Sequence, residues 1–474
     1  MSLISLGTVS FDGLVTGLNT TGLIDELAKA SGRSVTLMNQ KVTSLESKQS
    51  LYTTLNTRLA ALDSALEAIE DSDDFREMGV TVEDDASYSV TATGEAIDGS
   101  YSISVQQLAQ AQIDLFELDG NLGLFSSATT SGIFDSTGTV DITLNGDVTN
   151  ISVDTSTTLT SLASDINDID GITAYIVKTQ DADDTGTDEF VLVIQADDTG
   201  EDAGAQRITY GQTGSFSEVV TGESKQTAQN AQIIVGGTTL ESASNVFTSI
   251  EGMTITAQKE EPATSYTTTL AMDTAAMAEK ISNVVEAVNG IISLVKTNTK
   301  VTSSGTNQDS ISLGGFVGES TPRTIINRLR TILGSDYGTA LGISGRTAAS
   351  QIGISTNGST GLLSFSSADF IEAYNESASD IEALFSDSTG SLSEAIRDEV
   401  SIYIQPSTGI IAKIDDALDE EIEALEDSID SEERRIEKFK ARLRKQFTGL
   451  ETITSSLKTT SSFLTSFFAP KATS

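Results

Sequence analysis

The chain contains no cysteine, no histidine and no tryptophan. Without Cys there is no thiol nucleophile and no disulfide, and without Cys or His there is no zinc site built on those ligands. Without His there is no imidazole acid–base chemistry and no Ser-His-Asp triad. Only Asp, Glu, Lys and Tyr remain for proton transfer. Apolar runs are short: no stretch reaches the roughly 18 residues a membrane-spanning helix needs. Residues Met1 to Thr20 carry neither a basic segment nor an apolar one, so no Sec-type signal peptide is expected. Basic residues are also scarce. Lys plus Arg is 28 against 69 Asp plus Glu, a net charge of −41. Such a surface repels nucleic-acid phosphates and anionic lipid, so neither nucleic acid nor membrane is an expected partner. It is best tolerated in concentrated salt, where repulsion is screened.

What is present falls into three regions. At 474 residues, about two to four domains are expected. The first region is helical: Ile24, Leu27, Met38, Leu45, Tyr52, Leu55, Leu59, Leu62, Leu66 and Ile69 keep one 3-4 register. A stripe of that period calls for a partner helix. Asn19, Thr20 or Thr21 caps its start, Gly32 interrupts it, and the acids Asp71, Asp73 and Asp74 end it. The middle region alternates with period two, predicting strands at Val80–Val82, Tyr88–Val90, Tyr101–Val105, Val140–Leu144, Ile151–Val153, Ile172–Val177, Phe190–Ile194, Ile208–Tyr210, Ile233–Val235 and Met253–Ala257. Asn145-Gly146 signals a type I′ hairpin, and Leu159–Ile169 one helix. Ala182-Asp-Asp-Thr-Gly186 recurs as Ala196-Asp-Asp-Thr-Gly200 and reads as two turns around one strand.

The third region returns to helix. It includes Asp273–Lys300, segments near Pro322–Leu333, Ser367–Tyr374 and Ile381–Phe385, and a loop at Thr299–Gly318. The last helix is the longest. Ile422, Leu425, Ile429, Ile436, Phe439, Leu443, Leu450, Ile453, Leu457, Leu464 and Phe467 share one register, and a helix over Gly409–Phe467 would span about 90 Å. Asp415–Glu433 holds eleven acids and no base, whereas Arg434–Lys445 holds seven bases and one acid. This order complements the helix dipole. The basic block is either a solvated face or the partner of acids on a neighbouring chain.

The middle region is an insertion between helical halves, so the first and last helices are expected to pack together. The fold class is α+β and multidomain, with a coiled-coil leg from both termini and two inserted, mainly β head domains. The expected divisions are a flexible terminal segment at 1–20, leg helices at 21–75, an inner head of 76–113 plus 227–270, an outer head of 114–226, a helical body at 271–408 and the terminal helix from 409 to 474.

Chemical sites are few. Asp181, Asp183, Asp184 and Asp188 resemble the front of a calcium loop, but Leu192 stands where the bidentate Glu is needed, so a solvated hairpin turn is the stronger reading. The pairs Asp73-Asp74 and Glu83-Asp84-Asp85 do not form the facing carboxylates of a glycosidase. No cofactor and no enzymatic activity are expected.

Phe11-Asp-Gly-Leu-Val-Thr-Gly-Leu-Asn19-Thr-Thr-Gly-Leu-Ile24-Asp-Glu-Leu27 resembles the N-terminal motif of the flagellar filament cap family, also called hook-associated protein 2 or FliD. Gln40 to Leu62 resembles its following heptads, and Gly99 to Gln112 its first head strand. Thr158–Asn167 and Ala228–Thr256 resemble its head, and Phe447-Thr-Gly-Leu-Glu-Thr-Ile453 through Leu464 its C-terminal signature. The chain departs from the family at Ser31-Gly32-Arg33, where a proline is usual, and in its acidity. The resemblance implies a structural cap at the tip of the extracellular filament, exported without a cleaved signal peptide. It implies a ring of roughly four to six copies, with flagellin, the flagellar export apparatus and its chaperone as partners. The rivals are a surface adhesin with a coiled-coil stalk and a flagellin-like filament subunit.

Overall fold

A computed structural model describes residues 19–119, 125–179, 189–303, 311–386 and 389–467. The chain forms two compact units, Met1–Glu70 with Lys280–Ser474, and Asp71–Glu279.

Helix α1 (Thr20–Ser31) starts at Asn19, whose side chain accepts from Gly22 N at 2.8 Å. That bond satisfies one of the first-turn amides. Gly32 (φ −79°, ψ 0°) separates it from α2 (Arg33–Glu67). The register expected through Leu27 is not kept. Helix α1 buries Thr20, Ile24 and Ala28, a spacing of four, which leaves Leu27 46% exposed. Beyond the glycine the stripe settles: Leu45 is buried, and Tyr52, Leu55, Leu59, Leu62, Leu66 and Ile69 are fully so.

In the second unit, α3 (Ser72–Phe75) is capped by Asp71 and buries Phe75. Strands β1 (Met78–Val82), β2 (Tyr88–Ala92) and β3 (Gly99–Gln107) begin an inner head. An outer head follows, with β4 (Ala111–Leu118), β5 (Gly138–Leu144), β6 (Asp147–Val153), α4 (Leu159–Ile166), β7 (Ile172–Thr179), β8 (Glu189–Thr199), β9 (Ile208–Gly214) and β10 (Val220–Gln226). Strands β11 (Ala231–Val235), β12 (Thr238–Ser242), β13 (Val246–Ile250), β14 (Met253–Ala257) and β15 (Tyr266–Met272) return to the inner head.

The inner head has sheets ordered β1-β15-β3-β11-β12 and β13-β14-β2, closing on Ile103, Val105, Ile233, Phe247, Ile255 and Leu270. The outer head has sheets β10-β4-β8-β7 and β6-β5-β9 around Phe116, Phe134, Val140, Leu159, Ile166 and Ile194. All of these pairings are antiparallel. Asn145 (φ 51°) and Gly146 (φ 88°) make the β5–β6 turn with both residues left-handed, as type I′ requires. Three expectations change. A boundary at 113/114 would cut β4, which pairs with β8 from Ala111 onward. Ala196–Thr199 is not a turn: it continues β8, because Thr199 pairs with Ala111. Helix α4 stops at Ile166, where Asn167 turns back to bond both Ala174 N and O.

The first unit resumes within α5 (Thr274–Asn298), whose Ile281, Val284, Val285, Val288, Ile291, Ile292 and Val295 are buried. The segment read as a loop contains a small hairpin, β16 (Val301–Ser303) with β17 (Ile311–Leu313). Then come α6 (Thr321–Leu333), α7 (Gly338–Leu341), the hairpin β18 (Ile354–Thr356) with β19 (Leu363–Phe365), and α8 (Ser367–Phe385). The two short helices expected inside α8 are its two halves, joined across a non-helical Ser377. Helix α9 (Leu392–Ile404) was not anticipated. Ser391 caps it, and Leu392, Ile396, Val400 and Tyr403 form its buried stripe. Helix α10 (Ile410–Phe467) is one span of 58 residues.

Candidate assembly surface

Helices α2 and α10 run antiparallel. Ser34 Oγ donates to Glu432 Oε1 at 3.1 Å, Lys41 Nζ to Glu421 at 2.6 Å, and Gln49 Nε2 to Asp419 at 2.7 Å. Helix α1 lies against α10 farther along, with Lys440 Nζ 3.8 Å from Asp25. The whole α2 stripe does not face α10, however. Ile410 lies nine residues before Asp419, which brings α10 level with only about residue 58 of α2. Leu59, Leu62 and Leu66 therefore belong to the neighbourhood of α9. There Arg397 Nε donates to Asp63 at 3.1 Å, and its Nη1 pairs with Glu70.

The stripe of α10 is covered in grades. Ile411 and Leu418 are buried. Ile422, Leu425, Ile429, Ile436, Phe439 and Leu443 are half-buried. Leu450 is 48% exposed, Ile453 62%, Leu457 63% and Leu464 47%. Leu23 and Leu27 of α1 are exposed as well. The side chain of Phe467 lies outside the described residues. The stripe thus leaves its cover while the chain is still helical, and its last turns expose apolar side chains to water.

Most residues of the two charged blocks are exposed, whereas Asp419, Glu421 and Glu432 bond α2 and Lys440 approaches α1. Arg434 approaches Asp430 at 3.9 Å, Arg435 pairs with Glu432, and Arg442 stacks over Phe439 at 5.5 Å. Salt bridges link Arg434, Arg435 and Lys440 to acids, whereas Lys438, Arg444 and Lys445 have no ion pair among the described residues. The Arg435 fork holds the Glu432 carboxyl below its ordinary range, with help from Ser34.

Two polar groups, one half-buried and one buried, escaped the sequence reading. Glu319 accepts from Lys48 Nζ at 2.7 Å and from Tyr52 Oη at 3.0 Å. In the outer head, Asp114 is buried, and its Oδ2 accepts from Gln112 at 2.6 Å and from Tyr210 at 3.0 Å. Burial pushes the Asp114 carboxyl up, against the pull of Gln112, Tyr210 and Ser224. Neither residue interrupts a pattern, so no local signal marks it.

No group of three or more acids able to hold a metal occurs among the described residues. Asp181, Asp183, Asp184 and Asp188 lie outside them. Glu83 accepts from Thr267 N at 3.0 Å in the inner head rather than facing a second carboxyl across a cleft.

Residues 16–112 match the N-terminal model, and residues 228–459 the C-terminal model, of flagellar hook-associated protein 2. A protein of that name from Escherichia coli K12 is 29% identical over 479 residues, covering 98% of each chain. The A-type flagellar hook-associated protein 2 of Pseudomonas aeruginosa is 24% identical and covers 86% of each. The crystal structure of the D1-D2-D3 domains of the Escherichia coli flagellar cap protein FliD superposes with a TM-score of 0.63 at 26% identity. That superposition covers 78% of this chain and 99% of the other.

Proposed function

This chain belongs to the flagellar hook-associated protein 2 family, and from that premise we propose that it caps the distal end of the bacterial flagellar filament and guides flagellin subunits as they insert and fold. The observation that carries the reading is the order of the two family matches. They take in the helices at both ends of the chain and leave 113–227, largely the outer head, between them. A surface adhesin or a filament subunit is not favoured, since the relative matched over 98% of its length is a flagellar hook-associated protein 2 and the superposed structure is that of a flagellar cap protein.

The cap self-associates at the filament tip, outside the cell. Its further partners are flagellin and, before export, the flagellar export apparatus and a chaperone. The working part is the uncovered stripe of α10. Leu450, Ile453, Leu457 and Leu464 supply apolar area for a neighbouring copy or for the filament, at roughly 25 cal/mol per Å² removed from water. Leu45 through Leu66 and Ile422 through Leu443 hold the helices that present it. Binding energy and relative movement are sufficient, and no covalent step enters. Removing the protein from its host should release unpolymerised flagellin into the medium and abolish swimming, and supplying it again should restore both. Normal filaments without it would overturn the reading.

A further inference from the structure

The outward face of α10 carries a charge pattern that repeats with its sign reversed. Glu420, Glu423, Asp427 and Asp430 are spaced three, four and three residues apart; so are Arg435, Lys438, Arg442 and Lys445. All eight are exposed, as are Ala424 and Ala441. They lie away from the side that Ile422, Leu425, Ile436 and Leu443 turn toward the body of the unit.

We propose that this face binds the same face of a second copy, antiparallel, about a two-fold axis between Glu432 and Glu433. In that register Glu420 meets Lys445, Glu423 meets Arg442, Asp427 meets Lys438 and Asp430 meets Arg435, and each pair occurs twice. Ala424 then faces Ala441, so the two backbones can approach closely. At the axis the two Glu432 side chains do not collide, because each is turned inward to Ser34 of its own chain. Opposed helix dipoles add to the attraction.

Two other arrangements of a second copy are possible, and the pattern speaks against both. A parallel pair in register sets acid against acid and base against base. A parallel pair shifted by 15 residues, roughly 22 Å, also matches the signs. That contact is head-to-tail, so each copy needs a neighbour on either flank. The acidic and basic rows lie only about 60° apart around the helix, at 3.6 residues per turn. They therefore face one side, which a single antiparallel partner covers completely. Such a pair hides a concentrated basic block, Arg434–Lys445, of an acidic protein. It describes free copies, and it stands or falls independently of the capping role.

The chain has no cysteine, so introduced thiols are unique. Full-length Glu420→Cys and Lys445→Cys proteins, mixed and treated with a short bismaleimide, should give a covalent mixed dimer. A cross-link within Glu420→Cys alone would show the in-register parallel pair. A cross-link between Glu420→Cys and Arg435→Cys would show the staggered one. Either result, or no cross-link at all, overturns the proposal. Sedimentation at about 0.15 M salt supplies an independent measurement. Arg442→Glu with Lys445→Glu should weaken the pair at least tenfold, and adding Glu420→Lys and Glu423→Lys to the same chain should restore it. If the fourfold variant stays monomeric while its helical circular dichroism is unchanged, the register is wrong.

Discussion

Tyr52 and Glu319, 267 positions apart, meet in a 3.0 Å hydrogen bond in which the phenol donates to the carboxylate. Tyr52 is fully buried and meets Phe316 edge-on at 5.2 Å. Lys48 donates to the other oxygen of Glu319. The three together hold the turn before α6 onto α2.

Glu319→Gln should therefore destabilise the helical unit by about 1–3 kcal/mol, and Tyr52→Phe by about 1 kcal/mol. The pH dependence has a definite sign. Burial raises the Glu319 carboxyl, but the bonds from Lys48 and Tyr52 outweigh it and the net shift is downward. A lowered folded-state value gives stability that is present above the unfolded value, near 4.3, and lost as pH falls through the folded one. Thermal melts of wild type and Glu319→Gln should differ at pH 7 and converge in acid. Parallel curves down to pH 3 would contradict this.

Asp114 has the opposite sign. Its carboxyl is raised, chiefly by burial, and its Oδ1 has no hydrogen-bond partner. A raised acid adds stability below its unfolded value, near 3.9, and loses it as pH rises through the folded value. Asp114→Asn should therefore raise the melting temperature of the head unit at pH 7, by the equivalent of about 1 kcal/mol. The gain should vanish below about pH 4. A variant less stable than wild type at pH 7 would show that the carboxylate is better accommodated than its surroundings indicate.

Arg397 tests the other end of α2. It bonds Asp63 and Glu70, and all three side chains are partly covered. Arg397→Ala should cost about 1–2 kcal/mol, more than an exposed pair, because two carboxylates lose their counter-charge together. Denaturant titration followed by helical circular dichroism measures the loss. Asp430→Ala, which removes an exposed pair at 3.9 Å, is the control and should change little.

Much of the fold was legible because its periodicities are local. The α2 stripe from Leu45 to Leu66 and the alternation in Ile172–Val177 need no knowledge of the partner. Strands were missed where side chains carry no alternation. Strand β10 reads Val-Thr-Gly-Glu-Ser-Lys-Gln and β15 begins with Tyr followed by three Thr, and both are held chiefly by their ladders. The junction between the heads was also silent. Gln110 and Gln229 exchange backbone bonds there, while Gln206 clasps Ala228 N and O. Glutamine runs look like loop until their carbonyl partners are seen. For the candidate surface, the sequence revealed the stripe and the charge blocks on α10. Where the cover ends was hidden, because Leu450 and Ile422 occupy equivalent positions and differ only in what lies opposite.

That difference yields the most direct test of how the stripe divides between folding and assembly. Leu62 is fully buried, and Leu62→Asp places an unpaired charge in the core of the helical unit, at a cost of several kcal/mol. The variant should unfold the helices and lose activity with them. Leu457 keeps the same register on α10 but is 63% exposed, so Leu457→Asp should shift stability by no more than about 0.5 kcal/mol. Its melt should overlay that of wild type. If the exposed end of α10 is the seat on the filament, the well-folded Leu457→Asp protein should still fail to restore swimming, and flagellin should accumulate in the medium. A stable variant that restores swimming fully would assign the seat elsewhere. A variant that melts early would show that the end of α10 is already covered within the single chain.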